Sequence, residues 1–196
     1  MRAFRRAASV VLACIALLAA CKRQPERGAD ETVQKVMHER SLASVAELPP
    51  CLDRPEPGPR WTSADAGPFS LRLPPGYSKA EVQGIDSFVG EYRAPGRTLR
   101  FDYGAYSSTL QEWRSAGAGF RSCRMEIDGR LAKIVTAQSE KDGYLAGVTW
   151  RELEKGDEFN EVHLTMIATS ADVAGQREAL AVFRSVRFKK LEWPSP

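Results

Sequence analysis

The chain has 196 residues, 43% hydrophobic and 27% charged, with 28 Lys and Arg against 25 Asp and Glu for a net charge of +3. That length holds about one globular domain plus an extension. With the charges nearly balanced and no basic patch standing out, the composition argues against a nucleic-acid partner.

Residues 1–20 open with Arg2, Arg5 and Arg6 and continue as an apolar run from Ala7 to Ala20 that ends on small residues before Cys21. Charged start, short apolar segment and small residues are the layout of a secretory signal. As a retained membrane helix, the 14 residues from Ala7 to Ala20 would rise only about 21 Å, whereas a span needs roughly 20 apolar residues. The run Leu18-Ala19-Ala20-Cys21 resembles the lipobox of bacterial lipoproteins. That resemblance implies cleavage after Ala20, a diacylglycerol on the Cys21 thiol and an acyl group on the new N-terminus. Several acyl chains on one residue make a stable membrane anchor. Lys22, not Asp, follows the cysteine. By analogy with Gram-negative lipoprotein sorting, this implies the inner leaflet of the outer membrane, facing the periplasm.

The leader holds three Arg and no acid, so its removal lowers the 28 basic residues to 25, equal to the 25 acidic ones. It also removes Cys14. With Cys21 lipidated, Cys51 and Cys123 remain, and two thiols left over in an exported protein usually pair. A disulfide closing this 72-residue separation would contribute up to ~4 kcal/mol. Two buried free thiols are the competing reading. Two cysteines with no histidine pair nearby make a poor zinc set, so no metal is expected.

Residues 21–60 read as a lipidated N-terminus and tether. Asp30 is a suitable N-cap for a helix over residues 31–47, in which Val33, Val36 and Met37 share a face, with Leu42 and Val45 further on. Pro49, Pro50, Pro55, Pro57 and Pro59 follow, which excludes helix and central strand and predicts a semi-rigid spacer over 49–59. A Cys51–Cys123 bond would pin that spacer to the domain.

Residues 61–191 form the expected domain, with 192–196 a short tail. Phe69, Leu71 and Leu73 alternate before the turn Pro74-Pro75-Gly76. Ser87–Arg93 is a second strand, ended by Ala94-Pro95-Gly96. Thr98–Tyr103 places Leu99, Phe101 and Tyr103 on one face and Arg100 and Asp102 on the other. Ser108 with Gln111 three residues on predicts a capped short helix carrying Leu110 and Trp113, ended by Gly117 and Gly119. Cys123, Met125 and Ile127 then alternate, and Asp128-Gly129 is a strong hairpin signal. Leu131–Gln138 returns, Lys141-Asp142-Gly143 turns, and Ala146, Val148 and Trp150 line the next strand. Glu154–Asp157 turns again before Val162, Leu164, Met166 and Ala168. Ser170 is the expected N-cap of a helix to about Phe183, and Val186 and Phe188 belong to a last short strand. Strand groups each followed by a helix predict an α+β fold, an antiparallel sheet with helices packed on it.

Two stretches, Phe69-Ser70-Leu71-Arg72-Leu73-Pro74-Pro75-Gly76-Tyr77 and Ala179-Leu180-Ala181-Val182-Phe183-Arg184-Ser185-Val186-Arg187-Phe188, resemble the opening and close of the PsbP-type and Ran-binding release factor fold. The resemblance would cover most of residues 66–190 and implies a binding or assembly factor.

Catalytic signals are sparse. His38 falls in the tether and His163 is expected on a partly exposed sheet face. No Gly-x-Ser-x-Gly, His-Glu-x-x-His, Cys-x-x-Cys or phosphate-loop pattern occurs, and Ala116-Gly117-Ala118-Gly119 follows a helix signal, not a strand. Asp86, Glu91 and Asp102 are carboxylates whose pairing sequence spacing does not fix. The densest polar and aromatic cluster is Arg100 to Ser107, at a strand-to-helix junction. Arg100, Asp102, Tyr103, Tyr106 and Trp113 are the candidate binding residues, since tyrosine pairs apolar area with a hydrogen-bonding tip. The function expected is an anchored envelope lipoprotein that binds a protein partner without catalysis or cofactor. The alternatives are a small-ligand carrier and a hydrolase using Asp102 or His163.

Overall fold

The computed structural model describes residues 45–110, 113, 118–155 and 161–189, without the side chains of 152, 154 and 155. The leader, Cys21, Lys22, His38, nearly all of the expected 31–47 helix and the 192–196 tail lie outside the described residues.

The described strands are β1 (Thr62–Asp65), β2 (Phe69–Leu73), β3 (Ser78–Ala80), β4 (Phe88–Ala94), β5 (Arg97–Gly104), β6 (Ala118–Ile127), β7 (Arg130–Ser139), β8 (Gly143–Lys155), β9 (Glu161–Ser170) and β10 (Arg187–Phe188), with helix α1 (Val173–Arg184) between β9 and β10. They form a three-stranded sheet, β1-β2-β10, and a seven-stranded sheet, β3-β4-β5-β9-β8-β7-β6. Every pairing is antiparallel.

The expected α+β class is therefore corrected to a β-rich fold of two antiparallel sheets with, among the described residues, one bounded α-helix. The alternating patterns dominate the described chain, and the first and last of them pair into a second sheet where a single sheet with helices was expected. The Ser108 hydroxyl accepts from the Leu110 amide at 3.0 Å, a local turn in place of the capping bond to the third helical residue. Leu110 sits at φ 59°, a left-handed conformation that an α-helix excludes. Its side chain is fully buried over Gly147 of β8. The rest of the predicted helix, residues 111–112 and 114–117, lies outside the described residues. At α1 the cap also differs. Asp172, not Ser170, is the N-cap and accepts from the Gly175 amide at 2.7 Å.

The main core lies between the inner face of the large sheet and a layer made by α1 and the small sheet. Tyr92, Leu99, Phe101, Leu164, Met166, Val148 and Trp150 meet Phe69, Leu71, Val182 and Phe183 there. Alternation explains the sorting, because successive residues of a strand point to opposite faces. Gly90 faces this core where a side chain would overlap the Phe101 ring, with a Cβ only 2.2 Å from its atoms. Asp128 and Gly129 both take positive φ, 52° and 72°, and close the β6–β7 hairpin as the sequence predicts.

The proline-rich segment is docked on the domain. Cys51 is bonded to Cys123, confirming the expected disulfide. Cys51 N donates to Arg124 O at 3.0 Å and Arg124 N to Pro49 O at 2.9 Å, which adds a short parallel bridge to the edge of β6. Further on, Arg184 donates to the carbonyl oxygens of Arg54 and Pro55 and pairs with Glu56 at 2.6 Å.

Candidate functional site

The outer face of the large sheet is covered unevenly. Leu110, Trp113, Val135, Ala137 and Leu145 form a second apolar cluster over β7 and β8, with Phe120 and Ile167 against it. Toward β4, β5 and β9 this cover ends at Ser108. On the far side Val82, in the 81–87 loop after β3, rises beside β4. Between them lies an open groove of about 410 Å³.

Register lays out its floor. β4–β5 pairing sets Glu91 opposite Arg100 and Val89 opposite Asp102, and β5–β9 pairing continues these rows to Ile167 and Thr165. One row thus reads Glu91, Arg100, Ile167 and the next Val89, Asp102, Thr165. Arg93 extends the first position along β4.

Glu91 is 2% exposed and is held from both sides, Arg93 Nε on one carboxylate oxygen and Arg100 Nε on the other. Burial pushes the Glu91 carboxyl up, but the hydrogen bonds and charges of Arg100 and Arg93 outweigh it and hold the group below its ordinary 4.5. Both arginines are largely exposed, at 67% for Arg100 and 61% for Arg93. Their Nε atoms face Glu91, and no described residue bonds their Nη groups. One buried negative charge and two fixed positive charges leave this end of the groove cationic.

The other end has acceptor character. Asp102 lines this end, and its Oδ1 is buried with no protein donor among the described residues. Beside it, Thr165 is buried and its hydroxyl donates to Ser108 O at 2.5 Å, with Thr149 Oγ1 at 3.2 Å and Ser107 Oγ at 3.4 Å. Val82, Val89 and Ile167 give the groove apolar walls.

The structure divides the five residues that the sequence grouped. Arg100 and Asp102 line the groove. Tyr103 is one step further along β5, so it faces the main core and is buried. Tyr106 lies beyond β5, 80% exposed and outside the groove lining. Trp113 is buried in the second apolar cluster. His163, expected to be partly exposed, is buried at 4% and does not line the groove. Asp86 is exposed in the 81–87 loop. Among the described residues no three His, Cys, Asp or Glu side chains converge where a metal could bind. Sequence reasoning missed Glu91 as the centre of an arginine clamp, and it missed Arg93, Val82, Thr165 and Ile167. The spacing Val89-x-Glu91-x-Arg93 puts three of the groove residues on one strand face, but only the register shows that this face meets Arg100 and Asp102.

Fold and site together define a two-sheet, β-rich domain with an open, polar-ended groove on its larger sheet. No family model matches the chain, and no curated protein matches it. Among solved structures it is similar to a protein of Bacteroides thetaiotaomicron VPI-5482, with 15% identity and a TM-score of 0.41 over 69% of this chain and 50% of that one. The chain thus spans about half the length of that protein, and a likeness of this size carries no functional argument.

Proposed function

We propose that the protein is a lipoprotein of the cell envelope, held by acylated Cys21 at the inner leaflet of the outer membrane, whose periplasmic domain binds a partner protein without catalysis. The lipobox resemblance and Lys22 support the anchor. The Cys51–Cys123 disulfide suits an oxidising compartment. The observation that carries the binding role is the strip of sheet left open between Val82 and Ser108, with apolar walls and a fixed pair of guanidinia. A general acid or base works best with a pKa near the operating pH. Glu91 is held below 4.5 with both oxygens engaged, which fits anchoring of the arginines better than proton transfer. A small-ligand carrier is a second reading, favoured by a groove volume of about 410 Å³, inside the range of roughly 300–1,000 Å³ common for ligand sites.

Two measurements test the proposal in the native envelope. Labelled palmitate should enter the wild-type chain and not Cys21→Ala. A photo-crosslinking residue at Val89 in the groove should give a discrete protein adduct that the same residue at exposed Leu131 on β7 does not give. Palmitate labelling of Cys21→Ala at the wild-type level rejects the anchor. Identical adducts from both positions, or none from Val89, reject the groove.

A further inference from the structure

We infer that the groove recognises the free C-terminal carboxylate of an apolar polypeptide tail. The inference rests on the partner-binding reading and names the chemistry of that partner. Three features of the groove converge on it. First, Arg93 and Arg100 are oriented by a shared buried carboxylate, which fixes their Nε atoms and leaves their outer N–H groups to meet a second anion. A preorganised guanidinium pair suits the planar, two-oxygen geometry of a carboxylate. Second, the Asp102 carboxylate lines the groove as an acceptor with no protein donor to its Oδ1 among the described residues, so a ligand N–H or O–H suits this end. Third, Val82, Val89 and Ile167 call for apolar side chains between and beside these polar points.

Spacing selects a peptide. Arg100 and Asp102 are two residues apart on β5 and face the same way. That places their Cα atoms roughly 7 Å apart at the rise of a strand. An extended peptide has the same repeat. With its terminal carboxylate on the guanidinia, a backbone N–H from one or two residues earlier lies over Asp102. Competing ligands fail one pole. A fatty anion would meet the arginines but lay methylenes, which donate nothing, on Asp102. A cationic ligand would meet Asp102 but face the arginines.

The test uses fluorescence anisotropy of a fluorescein-labelled Ala-Leu-Val-Leu peptide with a free C-terminus, added to the lipidated full chain in nanodiscs, with empty nanodiscs as blank. Saturable binding is expected, weakened about tenfold or more when the peptide ends in an amide, and likewise in Arg100→Gln. Asp102→Ala should weaken the free-acid peptide, and Tyr106→Ala should leave it unchanged. Because Arg100→Gln strips a partner from buried Glu91, the double variant Glu91→Gln/Arg100→Gln, which removes both charges, is measured beside it and should bind as weakly. Equal affinity for acid and amide peptides overturns the inference, as does decanoate displacing the peptide at matching concentration. If the free-acid peptide does not bind while the Val89 adduct still forms in the envelope, carboxylate recognition fails and partner binding stands. Loss of both rejects the two together.

Discussion

On β4 and β5, a residue that faces α1 and one that faces the groove differ by a single step along the chain. Tyr92, Leu99, Phe101 and Tyr103 go inward to the main core, whereas Glu91, Arg93, Arg100 and Asp102 go outward. Over part of β7 and β8 the outer face is covered by Leu110 and Trp113, and toward β4, β5 and β9 it stays open as the groove. One side of the same two strands thus supplies cohesion and the other a fixed polar surface. The lesson is that alternation alone separates a stabilising face from a binding face, but which outward positions become a site depends on what crosses over them.

This contrast can be broken by substitutions on either side. The largest effect is expected inward. Trp150 is fully buried, so Trp150→Ala should lower unfolding free energy by about 4 kcal/mol in a denaturant titration. A loss below about 1 kcal/mol would mean that the inner face is not the cohesive one. Removing the disulfide with Cys51→Ala/Cys123→Ala should cost about 3 kcal/mol, since the bond closes a 72-residue separation and seats the proline segment on β6. Proteolysis should then cut first between residues 45 and 61, and an unchanged cleavage pattern would show that the segment is held by other contacts. Gly90→Ala places a Cβ against the Phe101 ring and should cost about 2 kcal/mol by thermal unfolding.

The outward residues sharpen the comparison. Glu91→Gln should cost about 1.5 kcal/mol at pH 7, less than a fully enclosed ion pair because both guanidinia are mainly solvated. The folded-state pKa of Glu91 lies below 4.5, so its contribution is present above that value and lost as pH falls below it. The wild type should therefore lose stability more steeply than Glu91→Gln below about pH 4.5, and parallel acid limbs would contradict the arginine clamp. Smallest of all, Tyr106→Ala should shift stability by no more than about 0.5 kcal/mol, because the ring is 80% exposed. The neighbouring Tyr103→Ala, on the inner face, should instead cost ~3 kcal/mol.

The sequence by itself determined the strand periodicity: Phe69-x-Leu71-x-Leu73, Leu99-x-Phe101-x-Tyr103 and Ala146-x-Val148-x-Trp150 all face inward in the structure. It determined the Asp128-Gly129 hairpin, since positive φ at both positions is a local requirement. It also singled out the two thiols that pair. These features are set by a residue and its near neighbours. The tertiary structure decided what depends on distant contacts. Ser108 and Leu110 carry a helix signal, yet Leu110 takes a left-handed φ and is buried over Gly147, a contact 37 positions away in sequence. Arg100 and Asp102 were legible as an outward pair, but Glu91 opposite Arg100, and Thr165 opposite Asp102, follow from strand register. The proline segment reads locally as a spacer that a disulfide would pin, and the structure adds its pairing with Arg124 and its contacts with Arg184. Register and crossover are global properties, because one slip along a strand exchanges its two faces and no short window of sequence contains the partner strand.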